Sequence, residues 1–282
     1  KHASAYDALL DDYEPGATSD RLRSLFDDLR AGLTPLLARV VGSHQWRPAN
    51  VLRREYPIDR QRVFVESVAG SLGFDFHRGR LDSTAHPFFS SIGPGDCRIT
   101  TRYRQNEFGE AFFATMHEVG HALYEQGLDP LHYGSPLGEA ASLGIHESQS
   151  RIWEMCVGRG LPFWRHFYPL AKQVFHEALH GVSLEAFHRA VNHVEISCNR
   201  VRADAVTYNL HVMLRFDLER ALIAGDLPPA ELPAAWREKE REYLGVNSSR
   251  DADGCLQDNH WAGGMFGYFP GYVPNPALVP ER

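Results

Sequence analysis

The chain has 282 residues, 43% of them hydrophobic, enough for one large domain or two small ones with a sizeable core. A formal net charge of −7, with no Lys/Arg-rich run, argues against a nucleic-acid surface. No apolar run approaches the ~18 residues of a membrane span. Cys97, Cys156, Cys198 and Cys255 are widely spaced and lack C-x-x-C pairing. They read as buried thiols of a reducing, cytoplasmic setting rather than a disulfide frame or a zinc ribbon. No basic segment leads into an apolar stretch at the start, so no signal peptide is expected.

Residues 1–18 read as an irregular or short helical lead ending at Pro15-Gly16. Ser19-Asp20 can cap a helix running to about Val41, kinked at Pro35, because Leu22, Leu25, Phe26, Leu29, Leu33, Leu36 and Leu37 recur at helical spacing. Turn signals and Trp46 occupy Gly42–Pro57. A second helix is expected over Ile58–Leu72. Phe74–His77 alternates and Arg98–Tyr103 is β-branched, so both read as short strands of a small sheet. The Cys97–Tyr103 strand leads toward the next helix and is the candidate edge for holding a peptide backbone by strand addition. From Glu107 on, helices are expected near 107–126, 141–158, 162–180, 183–192, 199–224 and 229–244. The chain shows no repeat, low-complexity tract or flexible linker, so one domain over 1–282 is expected, mainly α with a small β-sheet.

The chemistry concentrates in Met116–Leu123, which carries His117-Glu118-Val119-Gly120-His121 within an apolar, helix-compatible run. At ~100° per residue, His117 and His121 lie about 40° apart on a helix surface, so their imidazoles can converge on one ion. Glu118 sits about 100° round from His117, near enough to reach a water in the open position. This pattern supplies two nitrogen ligands and a base. A helix with two half-buried histidines and a surface glutamate is the plain alternative. Zinc needs a third protein ligand. Glu147 follows His121 by 26 positions, across a Gly/Pro-rich connection that lets a second helix return. A carboxylate on that helix would complete a His2Glu set. Glu139 competes from the connection, where a rigid ligand is harder to hold. Glu154 lies two turns beyond Glu147 and can at best support a ligand, and His146 reads as a helper or core histidine.

Two further constellations follow. In Asn199–His211, Arg200 and Asp204 are i, i+4 neighbours if they share a helix, and a surface ion pair is the default reading. Gly254–Tyr272 combines a Gly-rich backbone with Asp258, His260, Trp261 and several aromatics, the composition of a substrate-lining loop.

Taken together, the blocks resemble those of the M32 family of zinc carboxypeptidases, the thermostable carboxypeptidase 1 type. His86-Pro87-Phe88 matches its H-P-F block, and Asp96-Cys97-Arg98-Ile99-Thr100 matches D-x-R-x-T. His117–His121 matches H-E-x-x-H, and His146-Glu147-Ser148-Gln149 matches H-E-S-x-Q. Arg200 to Asp204 matches I-R-x-x-A-D, with Asn199 in place of the Ile. Gly254–Trp261 matches G-x-x-Q-D-x-H-W. The resemblance implies a largely helical, gluzincin-like metallopeptidase with a groove across the metal site. Its members look like homodimers that release single residues from peptide C-termini.

Carried over, His117, His121 and Glu147 would be metal ligands and Glu118 the catalytic base. Zinc is the implied cofactor, and Co2+ suits the same ligands. Arg200, His260 and Trp261 would lie where the substrate's C-terminal end is recognised, with Arg98 or Arg202 next in line for the carboxylate. Tyr272, or else Tyr268, would stabilise the tetrahedral intermediate. Typical members are longer at both ends, so this chain is expected to lack a groove wall. An exposed apolar groove is then expected, covered by the tail or by a second chain, or else leaving the isolated chain marginally stable. The rival functions are an endo- or oligopeptidase of the same chemistry and a non-catalytic relative serving as a binding or assembly protein. Glu118 argues against the last, because a pure metal site does not need it.

Overall fold

The computed structural model describes residues 3–43 and 50–273. Trp46 and the tail beyond Val273, with the expectations placed on them, lie outside the described residues. Nine α-helices and one three-stranded sheet are found among the described residues, so the mainly α architecture with a small sheet is observed. The chain packs as two compact units, the first comprising Lys1–Trp46, Ser142–Gly144 and Val194–Arg282, the second Arg47–Ala141 and Ile145–His193.

The second unit opens with α3 (Ile58–Ser71) and the sheet, β1 (Gly79–Ser83), β2 (Phe89–Gly93) and β3 (Asp96–Thr101). The strand order is β1-β3-β2, β1 pairing parallel and β2 antiparallel with β3. Two expectations fail here. Phe74–His77 is a turn, because the Asp75 carboxylate accepts from the His77 amide at 2.9 Å and from Arg78 Nε at 2.9 Å, drawing the backbone out of an extended path. The strand expected to hold a peptide at its edge, β3, is central, so its backbone groups are committed on both sides. The sheet's edges are β1 and β2.

The long helix α4 (Phe108–Gln126) follows, its first turn capped by Glu107, whose carboxylate accepts from the Gly109 amide at 3.3 Å. It is buried along much of its circumference. One stripe, Val119 and Ala122, packs with Ile99, Cys97, Phe74 and Ala69 beneath the sheet. Another, Phe108 and Phe112, joins an aromatic cluster with Tyr56, Phe64, Trp164, Phe175 and Phe187, with ring separations of 4.7–6.1 Å. After two short 3-10 turns comes α5 (Leu143–Arg151), which belongs to this unit from Ile145 on and passes directly into a π-helical stretch, Ile152–Val157. The sequence pattern gives a single helix here; the wider π turn is invisible to it. α6 (Leu161–Val174) and α7 (Leu184–Val191) complete the unit.

The first unit holds α1 (Ala5–Asp11), α2 (Ser19–Gly42), α8 (Tyr208–Ala224) and α9 (Leu232–Leu244). Thr18 caps α2, which continues through Pro35. Its core gathers Tyr6, Leu10, Leu22, Phe26, Leu210, Met213, Leu214, Phe216, Trp236 and Phe269. α8 starts at Tyr208, not near Asn199 as expected. Asp204 is the cause. Its Oδ1 accepts from the Val206 amide at 2.8 Å and the Thr207 amide at 3.0 Å, and its Oδ2 accepts from the Glu195 amide at 3.2 Å. The segment before the helix is thereby held in a turn, and Arg200 sits on a separate 3-10 turn, Arg200–Arg202.

Gly120 lies where α4 meets α5. A Cβ there would stand 2.5 Å from Ser150 Cα and 2.7 Å from the Gln149 carbonyl oxygen. Only glycine permits that approach. Gly120→Ala should destabilise the protein by roughly 1–3 kcal/mol, the usual cost of forcing extra volume into a packed contact, measured by denaturant unfolding. Unchanged stability would show that the two helices separate freely.

Candidate metal centre and its surroundings

His117 and His121 project from one face of α4, and Glu147 projects from α5 to meet them. His117 Nε2 stands 3.1 Å from Glu147 Oε1, and His121 Nε2 stands 3.4 Å from Glu147 Oε2. One ligand atom from each of the three groups lies within 4.8 Å of the others. Glu139 is exposed and does not belong to this cluster. The donor set of two imidazole nitrogens and one carboxylate suits a tetrahedral divalent cation with one open position. The surroundings suit it too, since both Nε2 atoms face inward.

What turns His117 inward is Glu154. Its Oε2 lies 2.9 Å from His117 Nδ1, and Arg151 Nη1 donates to the same oxygen at 3.0 Å. A carboxylate behind a ligand imidazole fixes its tautomer and orientation. Glu154 sits in the π-helical turn, and such turns frequently mark functional sites. His146 stacks on His121 with ring centroids 4.5 Å apart and places Nε2 3.0 Å from Glu125 Oε1. Phe89, at the start of β2, covers both rings at 5.8 and 5.5 Å. The His121 ring is thus wedged by His146 and Phe89.

The electrostatics are those of a site built for a cation. Burial opposes ionisation of Glu147, yet His117 and His121 outweigh it and hold the carboxyl well below the usual range. Burial likewise opposes charge on His117, but Glu147 and Glu154 prevail and hold that imidazole well above its ordinary value. At His121 burial wins, and the imidazole is held low. Glu118 is 6% exposed. Burial pushes its carboxyl up to about 7; His117 opposes this, and the Glu147 and Glu154 charges add to it. A bound cation would pull it back down.

The remaining predicted site residues fall in the first unit, apart from Arg98. Arg98 is on β3, half exposed, and paired with Asp96 at 3.1 Å. Arg202 is exposed on its 3-10 turn. Arg200 is 6% exposed. The expected Arg200–Asp204 pair is absent; Arg200 Nη2 donates to Asp258 Oδ1 at 2.6 Å, and Nη1 donates to the Tyr208 hydroxyl at 3.1 Å. Asp258 also receives Arg215 Nη2 at 2.6 Å and Nε at 2.9 Å. Despite burial, the two guanidiniums hold Asp258 far below the carboxylate range. His211, buried beside them, is kept neutral: burial first, then the Arg215 and Arg200 charges, bring it down to about 3.

Gln257 ties this cluster together, accepting from the Arg200 amide at 2.9 Å and donating to the Cys198 carbonyl at 2.9 Å. His260 packs against Phe269 at 4.7 Å and Tyr268 at 5.2 Å. Tyr272 stands with its ring 5.2 Å from the Arg200 guanidinium carbon. Trp261 donates its indole N–H to Glu219 at 2.6 Å. Arg200, His260 and Tyr272 are therefore one neighbourhood, with Trp261 anchored beside it. The sequence reading missed Asp258, Arg215 and Glu219 as organisers. Asp258 lay in the matched block; Arg215 and Glu219, four apart on a helix, look like an ordinary surface pair.

The family profile described as Carboxypeptidase Taq (M32) metallopeptidase matches residues 1–273. Thermostable carboxypeptidase 1 of Thermus thermophilus is 54% identical over 272 residues, which are 96% of this chain and 53% of that protein. Carboxypeptidase 1 of Bacillus subtilis is 42% identical over 268 residues, 95% of this chain and 54% of that protein. The crystal structure of the M32 carboxypeptidase from Deinococcus radiodurans R1 superimposes with a TM-score of 0.92 at 43% identity, covering 97% of this chain and 55% of that one. The chain spans about half the length of the relatives it matches. With the profile running nearly end to end, and with H-E-x-x-H and the returning glutamate converged in space, this chain belongs to the M32 metallopeptidase family.

Proposed function

We propose that this chain is the catalytic part of a metal-dependent carboxypeptidase that releases single residues from peptide C-termini. The convergence of His117, His121 and Glu147, with Glu118 buried beside them, carries the reading. The names of its relatives favour the exopeptidase form over an endopeptidase. Zinc is the proposed metal, with cobalt as a functional substitute in the same donors. The metal, held by those three residues, would polarise the scissile carbonyl and make water a stronger nucleophile near neutral pH.

The chain's own groups do the rest. Glu118 takes the proton from the attacking water and hands it to the departing amine, a transfer worth roughly 10²- to 10⁴-fold. Glu154 and Arg151 hold His117 in the required tautomer. A tyrosine hydroxyl, Tyr272 or Tyr268, supplies a hydrogen bond to the developing oxyanion. Arg200 is proposed to recognise the substrate's terminal carboxylate, with His260 and Trp261 shaping its surroundings. Its pairing with Asp258 is compatible with that role. Two guanidiniums share one carboxylate, so the Arg200–Arg215–Asp258 cluster carries a positive charge in excess. The backbone of a bound peptide has its candidate rail on β2, whose outer edge has no strand partner among the described residues.

Three measurements follow. Glu118→Gln should retain the metal and lose at least about a hundredfold in kcat, since an amide cannot accept the proton; near-normal turnover by the metal-loaded variant would remove Glu118 from the chemistry. Glu154→Gln should weaken metal affinity about 10- to 100-fold, the usual cost of losing a carboxylate behind a ligand histidine, measured by competition with a chromogenic chelator. Arg200→Ala should lower kcat/KM for peptides with a free C-terminus by about 1.5–3 kcal/mol, the worth of a hydrogen bond to a charged group. C-terminally amidated peptides should be affected much less, and equal losses on both would assign Arg200 a purely structural role.

A further inference from the structure

We propose that Glu219, a carboxylate in the middle of α8, is a positioning residue that fixes the 258–272 segment by gathering three donors from separate parts of the first unit. Glu219 is fully buried. Its Oε1 accepts from the Trp261 indole at 2.6 Å. Its Oε2 accepts from the Tyr6 hydroxyl of α1 at 2.7 Å and from the Gly267 amide at 3.1 Å. Two of the three donors bracket the turn between Trp261 and Gly267, so the carboxylate closes that turn from inside.

The backbone of Gly267 is shaped for this contact. It has φ +86°, and a Cβ on it would stand 2.9 Å from the Leu10 amide nitrogen and 3.0 Å from Leu10 Cα. The segment is therefore pressed against the C-terminal end of α1 while its amide faces Glu219. One turn earlier on α8, Arg215 grips Asp258. Helix α8 thus holds the segment at two points four residues apart, by a cation at one end and an anion at the other. Tyr268 follows Gly267 directly, with Phe269 and Tyr272 beyond it. The functional meaning of this placement rests on the reading of Tyr268, Tyr272 and Trp261 given above, but the placement itself can be measured without any activity.

The groups facing Glu219 are few. From α1 comes Tyr6 and, at longer range, from the turn after it, Tyr13; from α8 comes Arg215, already engaged by Asp258; from the segment come Trp261 and the Gly267 amide. Asp7 and Arg220 act on Tyr6. Burial pushes the Glu219 carboxyl up to about 7, against the pull of Trp261, Tyr6, Gly267 and Arg215. Its unfolded value is about 4.3. The folded value is the higher one, so ionising Glu219 costs stability as pH rises from about 4.3 to about 7, and the cost is constant above that. Above that range the ionised form accepts all three hydrogen bonds. Below it, the added proton takes an oxygen lone pair, and at least one donor loses strength.

The test follows the Trp261 indole ¹H–¹⁵N resonance of the intact chain with pH, assigned with Trp261→Phe among the five tryptophans. The resonance should titrate with a midpoint near 7, and Glu219→Gln should shift it and abolish that titration. Tyr6→Phe removes a donor that favours the ionised form, so its midpoint should move upward; this variant keeps the carboxylate and serves if the glutamine variant fails to fold. In kinetics, Glu219→Gln should raise KM about tenfold, the scale of one lost charged hydrogen bond, with kcat changed less than about twofold. A Trp261 resonance left unmoved by Glu219→Gln overturns the proposal, as does a midpoint unmoved or lowered by Tyr6→Phe. A chain that hydrolyses no peptide but shows the predicted titrations would refute the peptidase reading and leave the positioning role standing.

Discussion

The contact on which the metal centre depends is the passage of α5 across Gly120 of α4. Two of the proposed ligands reside on one helix and the third on another, 26 residues on. The carboxylate reaches the imidazoles because the two backbones meet at a distance where a side chain on α4 would overlap Ser150. Everything closer to the chemistry inherits this. The Glu147 carboxylate spans both Nε2 atoms, Glu154 lands behind His117, and His146 lands flat on His121. Burying three carboxylates at such a point is costly, since each loses its water. The histidines and Arg151 offset that cost in part, and a divalent cation would offset it further. A site of this kind gains stability when it is loaded.

The first unit solves a different problem with the same physics. Its α8 carries Arg215 and Glu219 toward the interior, where unpaired charge is not tolerated. Each is satisfied by the 258–272 segment, one through Asp258 and one through Trp261 and Gly267. A loop rich in glycine has little intrinsic order. Here it gains order from buried polar anchors and from the stacking of His260, Phe269 and Tyr272 around Arg200.

Much of the metal centre was legible because its information is local. Helical periodicity sets the angle between His117 and His121, and Glu118 follows from adjacency. The choice of Glu147 over Glu139 rested on which residue a rigid helix could hold, and the cluster contains Glu147. What stayed hidden depends on partners far away in sequence. Whether β3 is an edge or a centre is decided by β1 arriving parallel beside it, which no alternation pattern encodes. The start of α8 was displaced by one side chain, Asp204, competing for backbone amides. Arg200 reads as the partner of Asp204 at helical spacing, yet it pairs with a residue 58 positions away. Glu219 looks like a solvated helix position because burial cannot be seen in a carboxylate itself.

The proposed activity is removal of peptide residues one at a time from the C-terminus. Time-resolved mass spectrometry of a long peptide with the zinc-loaded chain tests it most directly. The expected result is a ladder in which each product is one C-terminal residue shorter than the last, and no ladder after the metal is chelated. Internal fragments, or a ladder that persists without metal, would contradict it.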